Sequence, residues 1–563
     1  MRIRRRSGPV TPLEQAQRSR LDTALRAPLA RLRIRKRGRF GEMAQLARDV
    51  DETLRTSDAG GAEAPRVLVV QLKEGPILAA YSAVFAQALR LRGAEVALLT
   101  CGGGQPICEV GWGRKTYPFP CDRCSFFTDT WARAQGIRTF RLRDDFPWGR
   151  NAARAPMDAR AARTTDRLDE TEATSTSVPR FFLAGNYHDL PHAEEVTRDF
   201  TVAAHGVYTA VGPVLDTFKP TTVLMNNGLT ASENAVKQAA DARGIRVVTY
   251  CAGFPPGTLM FSDGEPAIKH DSSPAWERLR DRPLTPEQLG LIKSYMDARF
   301  AGQGTFAGLY DSPLSERLRE ELDVARYDRV ATLFTNIAWD TATVGRDLGF
   351  SSMQSCVVEA VEAAREHPRT ALVVRIHPYE HAWGSAEPLE EMLAEAFPEL
   401  PENVRIVGHD RSINSYALMD ASDVVLTYTS TTGLEAALRG RPVAVCGAAH
   451  YRGKGFTIDV AGPEDLARQL AGAETFEVQP DLAWRYAFMF CFQMCIPFRS
   501  VAEPEPDVLG PLPTRAESLM PGRDAYLDFV CERILRGGAF VLPAELAAAP
   551  ARTADDESVL VHA

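Results

Sequence analysis

The sequence predicts an α/β protein of two domains that face each other across a cleft. Three observations carry this. Short apolar strands alternate with helix-length amphipathic segments through residues 66–250 and again through 329–471, the pattern of parallel sheets flanked by helices. At 563 residues the chain exceeds what one hydrophobic core supports. Finally, the strands end in polar or glycine-rich runs, where open α/β sheets hold their ligands.

The predicted organisation is a basic, helical or disordered extension over 1–62, a first domain over 63–273, a helical bridge over 274–328, a second domain over 329–480, and a helical return segment with a loose tail over 481–563. Within the first domain, strands are expected at Arg66–Leu72, Ala94–Thr100, Thr222–Met225 and Arg246–Tyr250, with helices at Ile77–Arg92, Glu194–Phe218 and Ala231–Arg243 between them. Residues 151–180 show little apolar periodicity and read as a mobile surface segment. The second domain opens on the strand Arg329–Phe334, continues with a helix over Met353–Glu366, and reaches strands at Val373–Ile376, Val424–Leu426 and Val443–Val445. The helix Pro463–Ala471 closes it.

Composition narrows the function classes. A net charge of −8 argues against a nucleic-acid partner. No apolar run approaches the roughly 20 residues that span a bilayer, and the charged N-terminus has no secretory pattern, so a cytoplasmic location is expected. Arginines and lysines crowd residues 2–40 against only Glu14 and Asp22. Such a segment suits peripheral contact with the anionic inner face of a membrane; a solvated tail and an acidic partner are the other readings.

Cys101, Cys108, Cys121 and Cys124 fall within 24 residues, the last two as a C-x2-C pair. Two clean pairs would make a tetrahedral metal site. With one, a structural zinc, plain thiols and a redox role all stand open. Gly103, Asn227 and Gly228 lie in first-domain loops after strands, where an acceptor would bind. No Asp-x-Asp motif stands at a strand end, so no cofactor is expected for catalysis.

In the second domain, Asp340 ends an apolar segment beside Trp339. It suits a catalytic carboxylate, or an N-cap for a following helix. His377 leaves a strand directly before Pro378, which restricts it to extended backbone; an imidazole held there can donate to a phosphate or protonate a leaving group. Arg375 precedes it on the same strand. Ser430, Thr431 and Thr432 lead into a helix whose start suits a phosphate, Gly433 allows close approach, and Glu435 sits on the first turn, where it accepts from ribose hydroxyls or complements the helix dipole.

These segments resemble the capsule polysaccharide synthesis family, which includes the bacterial β-Kdo transferases. The segments TNIAWD (335–340), VRIHP (374–378) and TSTTGLEAALRGRPVAVCG (429–447), with Tyr451, Gly455 and Asp459, appear in the order and spacing of that family's motifs, over roughly residues 330–460. The resemblance implies a GT-B-like fold of two Rossmann-like domains and a glycosyltransferase. Its substrates would be a nucleotide-sugar donor, CMP-Kdo-like, and a polysaccharide, glycolipid or metabolite acceptor. It implies Asp340 and His377 as catalytic residues, Asp340 attacking the anomeric carbon in a retaining mechanism or acting as base. It also implies Asn336, Arg375, Pro378, Ser430, Thr431, Thr432, Gly433, Glu435 and Tyr451 around the donor. The sequence NIAWD lacks a glutamine associated with the Kdo transferases. A CDP-polyol phosphotransferase of the teichoic-acid type and a non-catalytic scaffold in polysaccharide assembly are the alternatives; an Asp usual in the former's donor loop is Glu435 here.

Overall fold

A computed structural model of the chain describes residues 34, 38–56, 64–103, 105, 107–111, 121–146, 167–269, 271–301, 317–409, 413–472, 476–504 and 508–548. Most of the basic segment and the last residues of the tail lie outside these, and with them the expected membrane contact. Among the described residues no helix is long and apolar enough to cross a membrane.

The first sheet is built from β1 (Arg66–Val70), β2 (Glu95–Thr100), β3 (Thr139–Arg141), β4 (Thr222–Asn226), β5 (Arg246–Ala252) and β6 (Thr258–Asp263). The second contains β7 (Arg329–Phe334), β8 (Thr370–Arg375), β9 (Val404–Val407), β10 (Val424–Thr427), β11 (Val443–Val445) and β12 (Ile458–Asp459). A last strand, β13 (Ile496–Pro497), returns to the first sheet and pairs antiparallel with β6. The strand orders are β13-β6-β5-β4-β1-β2-β3 and β12-β11-β10-β7-β8-β9. Apart from the antiparallel edge β5-β6-β13, every pairing is parallel. Two Rossmann-like sheets with a returning C-terminal segment match the GT-B-like layout expected.

Side chains along the central strands alternate between two cores, as the period of two requires. Val67, Val69, Leu224 and Val248 face a core shared with the helix Pro76–Leu91 and the C-terminal helix Ala525–Arg536. Leu68, Val70, Val223 and Val247 face the helices Ala193–Phe218 and Ala231–Asp241. Burial on both faces explains why these strands read as continuous apolar runs. The return segment packs aromatic side chains on the first core: Phe498 sits 4.8 Å from Phe85, and Phe540 stacks on Phe261 at 5.1 Å.

Residues 167–180, expected as part of a mobile segment, are mostly helical. Helices Glu170–Thr174 and Ser177–Phe182 bury Ala173, Ser177 and Val178 against the second core. Their few apolar side chains all point one way, a signal too sparse for periodicity to register.

Candidate active site

The second sheet changes direction at β7. The chain steps outward through β8 and β9, then returns to the other side of β7 for β10, β11 and β12. The loops after β7 and β10 therefore diverge, leaving a crevice at the strand ends. Both loops carry candidate residues, and hydrogen bonds lace them together. The Thr429 amide donates to Asn336 Oδ1 (3.1 Å), and its hydroxyl donates to the Ala342 carbonyl (2.8 Å). Asn336 is thus a strut between the two loops.

Asp340 occupies a tight turn after β7. Its amide donates to the Ile337 carbonyl (3.1 Å), and its own carbonyl accepts from Thr343 and Val344, both at 2.9 Å. Oδ1 accepts from the Thr341 hydroxyl (3.0 Å) and the Ala342 amide (3.4 Å). No hydrogen bond to Oδ2 occurs among the described residues, so that oxygen can face a substrate. The carboxylate caps a turn, not a helix; the next helix, Met353–Glu366, has Ser352 as its own cap.

His377 lies at the adjacent exit, after β8. Its backbone amide donates to the Thr335 hydroxyl (3.1 Å), which ties the two exits together. The Tyr379 amide donates to His377 Nδ1 (3.2 Å). The neutral ring then carries its proton on Nε2, leaving that N–H as a donor. Burial lowers the His377 pKa to about 4; the charge of Asp340 opposes the shift and Arg375 adds to it. Asp340 and His377 are therefore electrostatic neighbours. Pro378 starts the short helix Tyr379–Trp383, and Trp383 stacks on Tyr379 with ring centres 5.5 Å apart.

Several predicted donor residues have other tasks. Arg375 is buried and donates to the carbonyl of Gly408 (2.7 Å). Tyr451 is wholly buried, donates to the Ser430 carbonyl (2.5 Å) and meets the Thr427 hydroxyl at 3.0 Å. It shapes the Ser430 loop from behind. A Cβ on Gly433 would come within 2.1 Å of the Tyr451 hydroxyl, so this glycine makes room for tyrosine. Glu435, expected to face ribose, is only 2 % exposed and takes a hydrogen bond from Arg299 Nε at 2.7 Å. Arg299 ends the helix Pro286–Phe300 and lies over the Phe254 ring at 4.5 Å. Ser430, Thr431 and Thr432 stay at the crevice. Ser430 Oγ donates to Thr432 Oγ1 (2.8 Å), and Thr431 makes no side-chain cap.

The first sheet has its own change of direction, between β1 and β4. A small cavity of about 30 Å³ lies there, lined among others by Lys73, Gly103, Cys101, Cys108, Cys124 and Glu233. Lys73 and Glu233 form an ion pair at 3.2 Å inside it. Asn227 and Gly228 form the turn after β4, both with positive φ (43° and 70°); neither lines the cavity. Among the described residues no group of three or more His, Cys, Asp or Glu could hold a metal. The Cys121 side chain lies outside the described residues, so the complete four-cysteine set does too.

The domains meet at the second sheet's strand ends. Leu183 packs with Ile337 and Trp339. The amide of Ala386 donates to the Leu183 carbonyl (2.8 Å), and that of Asn186 to Glu387 Oε2 (3.0 Å). Ser272 donates to the His450 carbonyl (2.9 Å). Sequence reasoning missed Thr335 and Arg299, whose partners His377 and Glu435 lie 42 and 136 residues away and leave no local motif.

Residues 323–479 match the family model described as capsule polysaccharide biosynthesis protein. The matched segment resembles that family, holds Asp340, His377 and the Ser430 loop, and excludes the first sheet. No curated protein matches the chain. Among solved structures, the chain is similar to Thermosulfurimonas dismutans KpsC, beta Kdo 2,4 transferase, at 16 % identity, with 54 % of this chain and 87 % of that one covered and a TM-score of 0.34. UDP-GlcNAc 2-epimerase from Neisseria meningitidis matches at 11 % identity, over 75 % of this chain and 97 % of that one, with a TM-score of 0.25. The glycosyltransferase SnogD from Streptomyces nogalater matches at 14 % identity, over 77 % and 97 %, with a TM-score of 0.23.

Proposed function

We propose that the chain is a glycosyltransferase that moves a sugar from a nucleotide-activated donor to a carbohydrate or glycolipid acceptor. The observation that carries this is the pairing of Asp340 and His377. The two side chains come from adjacent strand exits in the second domain, joined through Thr335, and the charge of Asp340 acts on the His377 ring. Asp340 presents Oδ2 to the anomeric carbon, as nucleophile or as base toward the acceptor hydroxyl. His377 donates from Nε2–H to the departing phosphate. Ser430, Thr431 and Thr432 supply hydroxyls to the same phosphate, held in place by Tyr451. The acceptor enters from the first domain, whose cavity offers Lys73, Glu233 and the Gly103 loop; zinc at the neighbouring cysteines is part of this reading only as a structural element.

Glu435 is assigned no contact with ribose here. Freeing it would break a buried ion pair, which costs about 3–5 kcal/mol when one partner is lost. Transfer assays with CMP-, UDP- and GDP-sugars on wild-type, Asp340→Ala and His377→Ala protein test the proposal. The expected result is turnover of one donor by wild type and its loss in both variants. Undiminished turnover in both would remove this site from the chemistry.

A further inference from the structure

Two cations meet at the seam between the domains with no anion in contact. Lys269 belongs to the first domain, in the turn that follows β6. Arg346 lies six residues beyond Asp340. Its Nη2 crosses the seam to donate to the Ile268 carbonyl (2.5 Å), and its Nη1 donates to the Ala448 carbonyl (3.1 Å). The Arg346 Nε–H is buried without an acceptor. The Lys269 ammonium lies 3.2 Å from where a Cβ on Gly345 would sit, so it rests against the backbone that leads into Arg346.

Among the described residues the Lys269 amide donates to the Pro266 carbonyl (2.8 Å), and its ammonium makes no hydrogen bond and no ion pair. Glu172 and Glu265 act on it, and Asp340 on Arg346, only from beyond salt-bridge distance. The energetic signature agrees with the geometry. Burial, and after it the charge of Arg346, lowers the Lys269 pKa. Burial also lowers that of Arg346. Two like charges held together in a half-buried seam are destabilising until an anion joins them. A guanidinium and an ammonium from the two sides of one seam suit a carboxylate or phosphate, each of which accepts several charge-assisted hydrogen bonds.

We propose that Lys269 and Arg346 form a clamp, one cation from each domain, for an anionic group of the donor beside Asp340. The group is a carboxylate on the transferred sugar or a phosphate of its nucleotide. The identity of the ligand as the donor rests on the function proposed above. The clamp offsets the repulsion between that anion and the Asp340 carboxylate. Because its two halves belong to different domains, an occupied clamp also pins the seam shut.

Lys269→Gln tests this, since the Lys269 side chain holds no structural hydrogen bond, whereas that of Arg346 holds two. Calorimetric titration of the full chain uses inorganic pyrophosphate, an acidic monosaccharide (Kdo or glucuronate), and glucose as the uncharged control. Wild type is expected to bind at least one anion, and Lys269→Gln to bind it about tenfold or more weakly, the scale of one charge-assisted contact; Lys269→Arg should recover most of the affinity. Loss confined to the monosaccharide assigns a sugar carboxylate, and loss confined to pyrophosphate assigns the phosphate. If neither anion binds wild type, or both bind Lys269→Gln as tightly, the clamp does not exist. An Asp340→Asn variant separates the two readings: full transfer activity in it defeats the proposed function while leaving the titration result standing.

Discussion

At the scale of single residues, the proposed chemistry needs His377 neutral with its proton on Nε2. Burial holds its pKa near 4 in the folded chain, below the ordinary value of 6.5. Between those values the unfolded chain takes up a proton that the folded chain refuses, so this residue lowers stability as pH falls from about 6.5 toward 4. His450, with a pKa lowered to about 3 mainly by burial, acts in the same direction. Glu380 acts oppositely: burial raises its pKa to about 7, so its contribution falls as pH rises from about 4.5 toward 7. A comparison of variants isolates His377. The melting temperature of wild type minus that of His377→Gln is expected to shrink as pH drops from 7 to 4.5; a constant difference would show that the ring is not buried neutral. Gly433 gives a second residue-scale test. Gly433→Ala places a methyl against the Tyr451 hydroxyl. It should cost about 1–3 kcal/mol in urea unfolding, with Tyr451→Phe lessening the cost in the double variant.

At the scale of elements, the Arg299–Glu435 pair fastens the helix Pro286–Phe300 to the second domain. Both side chains are nearly inaccessible, at 6 % and 3 %, so solvent screens the pair little. Arg299→Met or Glu435→Gln alone should cost about 3–5 kcal/mol of unfolding free energy, and the double variant less than the sum. Additive losses would mean that the two residues act independently. The sequence made much of this level legible. The strands β7 and β11 and the helices Met353–Glu366 and Pro463–Ala471 fall where apolar runs and periodicity place them. β3, β6, β9, β12 and β13 escaped notice for physical reasons. β3, β12 and β13 are two or three residues long, β9 is four residues interrupted by Arg405, and β6 follows a Pro-Pro-Gly turn that reads as loop. Asp340 and His377 were visible because strand exits are visible. The Arg299 partner of Glu435 was not, since 136 residues separate the pair.

At the scale of the whole molecule, the return segment ties the fold together. β13 pairs with β6, and Phe498 and Phe540 cover the face of the first sheet that carries Phe85, Tyr250 and Phe261. Removal of residues after 479 would expose that face. The truncated chain is expected to bind a hydrophobic dye and aggregate; a soluble, sharply melting product would show that the first domain is complete without it. The loops that carry Asp340, His377 and Ser430 were legible in the sequence because they follow strands in order. The seam was not, since Lys269 and Arg346 meet only when two domains dock. The central proposal is that Asp340 performs sugar transfer, and Asp340→Asn tests it most directly, since the change keeps shape and removes charge. Once the donor is known, sugar transfer by this variant should fall roughly a thousandfold or more, while nucleotide binding is not weakened. Transfer at the wild-type rate would contradict the account.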